Sequence, residues 1–471
     1  MQIRNLGPIK DLEIDLNKMN VFVGENGVGK TIAAYAIYLF FDWFNKIFLV
    51  NNLINHEEIK DLILGKKKSI SFDISELENE IVNQASRQFN ALPFDYFDNF
   101  FNHTSIYTNE SEIKVTSDDI RAFEISKSLR HGWYYSWNYI ESKGNAFSEQ
   151  LVNTENTSGR KDGNEILATP DNDKIELKYI VRAASNNIDY VDQLNEFEKN
   201  VKDAIQIINL SIQNVLFRAT APYDPIYLPA ERLGINVFIN DLNVNRLNIS
   251  VGLSNPSDSQ NNNFKKYVSP IEHYIGFVNN SMRNVNRHIK ELDNSKLINK
   301  LIPGNFMYDE EHNIFGYQLP GIDGRSKVID FEMLSSSLKS IFGFDLFLKS
   351  NPEGKWLFFD EPEMNFHPEN QKTIADLLFK LMKKNIKFVI STHSDYFVKE
   401  LINCVLKDKL NGQENNEINV YEFKDGTATK INNIFDIDES VDNFDNTTRK
   451  INDEYYDIVD ELEDRRCKDN G

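Results

Sequence analysis

Three short clusters in the sequence carry residue types suited to phosphate chemistry. Gly24-Glu25-Asn26-Gly27-Val28-Gly29-Lys30-Thr31 fits the pattern G-x-x-x-x-G-K-[ST], a loop whose backbone N–H groups point inward around phosphate oxygens. Lys30 is suited to the β- and γ-phosphates of a nucleotide, the Thr31 hydroxyl to Mg²⁺, and a helix starting near Lys30 adds the positive end of its dipole. Asp360 and Glu361 close the apolar run Trp356-Leu357-Phe358-Phe359. Adjacent carboxylates after a buried strand need a cation nearby: Asp360 fits Mg²⁺ ligation, and Glu361 fits orienting or deprotonating a water. Taken alone this pair also suits a helix cap or a solvent turn; with the glycine loop upstream it becomes the second half of one site. The apolar run 387–390 leads into Ser391-Thr392-His393-Ser394, so His393 also stands at a strand end, where its imidazole can contact a γ-phosphate.

These clusters need strand ends to hold them, and the patterning around them supplies strands. Residues 2–5, 11–16 and 20–23 read as three short strands, the first two joined by a Gly7-Pro8 turn and the third entering the glycine loop. Ile70, Phe72 and Ile74 alternate with polar residues as in a half-buried strand, and residues 225–228 read as another. Leu194, Phe197, Val201, Ala204 and Ile208 recur at helical spacing after a polar loop near 153–164. Val268, Ile271, Ile275, Val278, Met282, Val285, Ile289 and Leu292 step by three and four; this heptad seam fits either a short helical arm or an amphipathic helix on a globular core. Beyond Gly316, strands near 315–319, 327–331, 356–359 and 387–390 alternate with helices from 336, 369 and 396, which implies a sheet covered by helices.

Composition narrows the class. The 471 residues, 41% hydrophobic, suffice for two or three domains with a sizeable core. A formal charge of −20 opposes nucleic acid except on a local basic surface, so nucleic acid is an open partner that charge does not indicate. Lys66, Lys67 and Lys68 read as a solvated turn rather than a DNA contact. Cys404 and Cys467 are too few for a disulfide framework or a metal cluster. With no basic region followed by a long apolar core at the start, a cytoplasmic location without a membrane partner is expected. Residues 32–50 are apolar, yet they hold Asp42, Asn45 and Lys46 and follow the glycine loop, so a buried helix is expected rather than a membrane span.

The order of motifs, with DEPEMNFHPEN from Asp360 and STHS from Ser391 after a long insertion, resembles the ABC-type ATPases related to RecF, SMC-like proteins and the ATPase half of overcoming-lysogenization-defect (OLD) nucleases. The likeness is strongest over residues 1–40 and 325–400. Tyr227-Leu228-Pro229-Ala230-Glu231-Arg232 is similar to a segment of bacterial ATPases in this group, many of them from anti-phage systems. The resemblance implies ATP and Mg²⁺ as ligands, ATP hydrolysis, and two heads that sandwich ATP, each completing the other's site with a serine-rich signature at a helix N-terminus. Ser335, Ser336 and Ser337, within Leu334-Ser335-Ser336-Ser337-Leu338-Lys339, stand where that signature falls, and hydroxyls plus helix N–H groups suit a γ-phosphate. The family usually has glycine in place of Ser337, a side chain that narrows the approach to the facing nucleotide; a plain serine-rich helix cap is the alternative. Glu363 and His367 match positions that line the interface between heads or cap the next helix. No glutamine is distinctive as the Mg²⁺-binding loop residue, Gln84 and Gln88 being two candidates. OLD nucleases carry a nuclease domain after the ATPase, and residues 395–471 are too few for one, which implies a separate effector polypeptide.

The expected architecture is α/β: an ABC-type P-loop ATPase head with a mixed sheet and helices, a mostly helical insertion and a short coiled-coil-like arm. Residues 1–76 are the N-terminal part of the head, 77–218 an insertion of mixed structure, and 219–314 a strand plus the helical arm. Residues 315–435 are the C-terminal part of the head with signature, acid pair and histidine, and 436–471 an acidic tail, with 13 acidic and 5 basic residues, that suits a solvated helix or a partner-binding segment. The expected role is a homodimer, or a higher homo-oligomer of such dimers, that senses a trigger and controls its effector in defence. An ATPase acting on DNA repair intermediates and an ATP-binding scaffold with negligible turnover are the alternatives. A transporter subunit does not fit the large insertion between the two motif sets.

Overall fold

The computed structural model describes residues 1–64, 66–102, 104–122, 133–140, 146–153, 164–171, 174–181, 205–206, 208–209, 212–213, 225–239, 267–282, 285–286, 295–309, 314–319, 327–350, 352, 354–413, 418–431, 452–456 and 458. Two units emerge, one of residues 1–41, 93–113 and 224–471, the other of residues 42–92 and 114–223.

The first unit opens with the antiparallel hairpin β1 (Gln2–Leu6) and β2 (Ile9–Glu13), whose Ile3, Leu6, Ile9 and Leu12 face the core. Strand β3 (Met19–Gly24) is buried on both faces, as the unbroken run Met-Asn-Val-Phe-Val-Gly requires of an interior strand. Helix α1 (Lys30–Lys46) follows, with Ala33 to Phe44 buried throughout, which accounts for the apolar stretch after the glycine loop. Among the described residues no helix is long and apolar enough to cross a membrane.

The second unit then holds α2 (His56–Ile63), β4 (Ile70–Asp73) and α3 (Ile74–Asn90). Strand β4 stops one residue short of the alternation Ile70, Phe72, Ile74, because the Asp73 side chain accepts from the Ser75 and Glu76 amides and starts a helix at Ile74. The chain passes back through the first unit for α4 (Phe94–Phe100) and most of β5 (Glu112–Lys114), and the second unit then adds α5 (Ser117–Ala122) and four strands: β6 (Trp133–Ile140), β7 (Ala146–Asn153), β8 (Asn164–Asp171) and β9 (Lys174–Val181). With β4 they form an antiparallel sheet in the order β4-β9-β8-β6-β7. The insertion expected over 77–218 to be mostly helical therefore contributes four strands, which pair with β4 from the segment before it, as well as helices. Of the helix expected through Leu194, Phe197, Val201, Ala204 and Ile208, only Ile208 lies within the described residues, and residues 154–163 of the polar loop lie outside them.

Strand β10 (Ile226–Leu228) and helix α6 (Arg232–Val237) return to the first unit. Helix α7 (Ser269–Ser281) ends after 13 residues and buries Tyr274, Ile275 and Val278 in the same core as β10 and the later helices. The seam at 268–282 is thus the inner face of a core helix rather than a projecting arm; Ile289 and Leu292 lie outside the described residues. Next come α8 (Ser295–Leu301) and the meander β11 (Asn305–Asp309), β12 (Ile314–Leu319) and β13 (Lys327–Asp330), whose Phe306 and Phe315 pack on Phe331 and Phe342. Helix α9 (Ser336–Lys349) leads to β14 (Trp356–Asp360), α10 (Pro368–Lys383), β15 (Lys387–Ser391), α11 (Asp395–Leu410), β16 (Ile418–Lys424) and β17 (Thr427–Ile431). The acidic tail is described only at 452–456 and 458, which are helical.

The main sheet runs β10-β14-β15-β3-β16-β17-β2-β1-β5. Its first five strands are parallel, so their C-terminal ends share one edge, while β16 to β17 and β1 to β2 are antiparallel. Asp360 pairs with Ser391, Ser391 with Phe22, and Phe423 with Gly24, so the ends of β14, β15, β3 and β16 fall in line. Ligands of parallel sheets gather at such an edge.

Candidate functional site

The glycine loop joins β3 to α1 at that edge. Gly24 has φ +140° and Gly29 φ +107°, both outside the range of ordinary residues. A Cβ on Gly24 would collide with the Phe423 carbonyl of β16, and one on Gly29 would stand 2.7 Å from Ile9 Cγ1, so the loop is a backbone cradle pressed against its neighbours. Glu25, Asn26, Gly27 and Thr31 are exposed and Val28 partly so, whereas Gly29 and Lys30 are buried. Lys30 Nζ donates to the carbonyls of Gly24 (2.9 Å) and Glu25 (2.7 Å) and reaches His393 Nδ1 at 3.4 Å. Burial pushes the ammonium down to about 8, against the pull of Glu361, Asp360 and Glu363.

Strand β14 delivers the acid pair, and β15 beside it delivers the histidine. Asp360 accepts from the Tyr227 hydroxyl (2.7 Å) and from Ser391 Oγ, and burial raises its carboxyl to about 6 although both hydroxyls oppose the rise. Glu361 turns away from the strand with φ +45°, its N–H donating to the Ser391 carbonyl at 2.8 Å. Its Oε1 lies 3.4 Å from His393 Nε2. With respect to the Lys30 ammonium at Nδ1 and Glu361 at Nε2, the neutral ring bonds best as the Nε2–H tautomer, while the Gly24 carbonyl is a further acceptor beside the ring. Burial first and the Lys30 charge second push the imidazole down from its ordinary 6.5, which favours the neutral ring. Glu363 fixes the turn after β15: its Oε1 accepts from Thr392 Oγ1 (2.7 Å) and from the His393 amide (2.9 Å), while Oε2 is buried with no hydrogen-bond partner among the described residues.

Lys30, Asp360, Glu361 and His393, drawn from three distant segments, thus meet around one strand edge. The serines do not join them within one chain. Ser335 caps α9 by accepting from the Leu338 amide at 3.4 Å, and Ser337 Oγ lies 3.0 Å from Ser335 Oγ. Among the described residues, no hydrogen bond links the three serines to that cluster. His367 caps α10, accepting from the Glu369 amide at 3.4 Å, so within the chain it has the capping role of its two readings. Gln84 and Gln88 belong to the second unit, where their amides bond the backbone of Asn51 and Leu49.

Two buried side chains that motif reasoning misses complete the surroundings. Tyr227, on β10, bonds Asp360, and Arg232, at the start of α6, donates to the Asp360 and Glu361 carbonyls at 2.6 Å each. Their only signal is the segment Tyr227-Leu228-Pro229-Ala230-Glu231-Arg232, which resemblance singles out without a role.

A parallel-centred mixed sheet with a phosphate loop, an acid pair and a histidine along one edge defines a P-loop ATPase head of the α/β class. The chain belongs to the AAA ATPase domain family, which matches it over residues 1–398. No curated protein matches it. Among solved structures, it is similar to an Smc head bound to the C-winged helix domain of ScpA, at 12% identity and TM-score 0.31, covering 91% of this chain and 96% of that one. An Smc head with an extended coiled coil bound to the C-terminal domain of ScpA, derived from Pyrococcus furiosus, gives 12%, 0.30, 91% and 94%. The SMC head domain from Thermotoga maritima gives 10%, 0.30, 91% and 96%. Superpositions this loose transfer neither sites nor partners.

Proposed function

We propose that the chain binds and hydrolyses ATP between paired copies of its head and uses that cycle to control a separate effector protein. The observation that carries the reading is the meeting of Lys30, Glu361 and His393 across the ends of β3, β14 and β15, with Asp360 beside them. The glycine cradle suits a polyphosphate, and Lys30, held by carbonyls that a phosphate can replace, suits its terminal groups. Thr31 and Asp360 are the donors that would hold Mg²⁺, whose chemistry is to neutralise charge on the phosphate oxygens. Among the described residues no cluster of three or more His, Cys, Asp or Glu side chains could hold a metal ion.

Glu361 is the residue assigned to orient and deprotonate the attacking water, and His393 to donate Nε2–H toward the terminal phosphate when one is present. Ser335, Ser336 and Ser337 of one copy would complete the nucleotide site of the other, since they lie apart from their own chain's cluster. The finer reading, an ATPase of an anti-phage system acting through an effector, rests on the likeness of the 227–232 segment to bacterial ATPases of this group, many of them from such systems, while 360–370 and 391–394 resemble the wider RecF, SMC and OLD class.

Native mass with and without ATP and Mg²⁺, on the wild type and Glu361→Gln, together with phosphate release, tests the switch. ATP-driven assembly that Glu361→Gln retains while losing phosphate release is the expected result. An oligomer indifferent to ATP with no phosphate released would overturn it in favour of a nucleotide-binding scaffold. For the finer reading, Glu361→Gln is expected to abolish phage restriction by cells carrying the chain with its neighbouring genes; restriction that is absent with the wild type would remove the defence role.

A further inference from the structure

Arg232 makes an unusual set of contacts for a buried cation. At 1% exposure, its Nε donates to the Ser340 carbonyl at 3.0 Å, Nη1 to Pro229 at 3.0 Å and Asp360 at 2.6 Å, and Nη2 to Glu361 at 2.6 Å. The Phe359 ring lies 4.9 Å from Cζ and covers one face. Among the described residues its hydrogen-bond partners are all carbonyls, on three separate segments, and none is a carboxylate. A planar fork of donors suits that geometry, whereas a point charge would not.

We propose that Arg232 is a positioning residue that ties helix α9 to the backbone that aims Glu361. Glu361 sits at φ +45°, a conformation uncommon outside glycine that persists only where surroundings over-determine it. Ser391 holds its N–H end and Arg232 holds its carbonyl end. The other arm of the fork grips Ser340, one helical turn beyond the serine cluster at the α9 N-terminus. Asn236 of α6 donates to the adjacent Lys339 carbonyl at 2.9 Å and is itself braced by the Tyr274 hydroxyl at 2.8 Å. A shift of α9 along its axis, of the kind that phosphate engaging its N-terminus would produce, therefore reaches the Glu361 peptide through one rigid side chain. The role of that link in turnover rests on the reading of Glu361 given above; the clamp itself does not.

Two readouts keep clamp and turnover apart. Hydrogen exchange of nucleotide-free wild type, Arg232→Lys and Arg232→Gln is followed by mass spectrometry, with fragments covering 360–366, the start of α9, and core helix α10 as control. Neither a lysine, with three donors on one atom, nor a glutamine, with two neutral ones, can keep all four bonds on three segments, so the tie between α9 and the Glu361 peptide is cut and exchange over 360–366 should speed up by at least about tenfold with α10 unchanged. Unchanged exchange over 360–366, or acceleration spread evenly over α10 in both variants, overturns the clamp. Phosphate release measured alongside should fall on the order of 10²-fold in Arg232→Lys with little change in KM, the effect of misplacing a reacting group. In a Glu361→Gln background the same change should cost nothing further, and an additional loss there would mean that Arg232 does not act through Glu361. No phosphate release by the wild type would remove the ATPase reading and leave the exchange result to decide the clamp.

Discussion

Replacing Asp360 by Asn should make the nucleotide-free protein more stable at about pH 8, and less markedly so at about pH 5. Asp360 is 2% exposed, and burial lifts its carboxyl from the ordinary 3.8 to about 6 in spite of the hydrogen bonds from Ser391 and Tyr227. A raised acid holds its proton more tightly in the folded than in the unfolded chain, so stability falls as pH climbs from 3.8 through about 6 and levels off above. At about 1.4 kcal/mol per pH unit, that rise places the cost of the buried charge at about 3 kcal/mol near pH ~8, and at about half of that near pH ~5. Asn has the same shape without the charge, and the two hydroxyls that donate to Asp360 can also accept from an amide. Urea unfolding in EDTA, wild type against Asp360→Asn at both pH values, measures the difference. A variant less stable than wild type at the higher pH, or one whose advantage does not shrink at the lower, would refute the argument. If Asp360 holds Mg²⁺ as proposed, the same change removes that donor, and stability and turnover should move in opposite directions.

ATP binding should draw a proton onto Lys30, because polyphosphate charge raises an ammonium that burial has pushed down to about 8; calorimetry near that pH in buffers of different ionisation heat should show uptake, with affinity falling as pH rises further. Glu361→Gln should lower phosphate release by about 10²- to 10⁴-fold while ATP affinity holds, in single-turnover and equilibrium titrations. Ser337→Gly should raise turnover if the side chain narrows the paired site, at about 0.5 kcal/mol of helix stability, read by steady-state kinetics and urea melts. Unchanged turnover would mean that Ser337 does not limit the approach.

The site is legible where chemistry stands at the end of an apolar run. Trp356 to Phe359, Phe388 to Ile390 and Val21 to Val23 are continuous because their strands are covered on both faces, and each hands its chemical residue to the same edge. Where local rules compete, a boundary shifts: Ile74 continues the alternation of β4, yet the Asp73 cap claims it for a helix. The seam at 268–282 states a period but not a partner, and what covers it is the core around Tyr274 and Val278 rather than another coil. Arg232 and Tyr227 are hidden for a deeper reason. Their contacts with Asp360 exist only because β10 pairs with β14, more than a hundred positions away, and no spacing along the chain announces that pairing.

The strand order has a temporal side. β3 is made early, but both of its neighbours, β15 and β16, come from beyond residue 386, and the Phe423 carbonyl that presses on Gly24 comes later still. Until they emerge from the ribosome, the phosphate loop is carried on a strand with two open edges, a slow and exposed kind of assembly. A nascent chain therefore has the loop long before it has the cradle around it, which closes only once synthesis has passed Phe423.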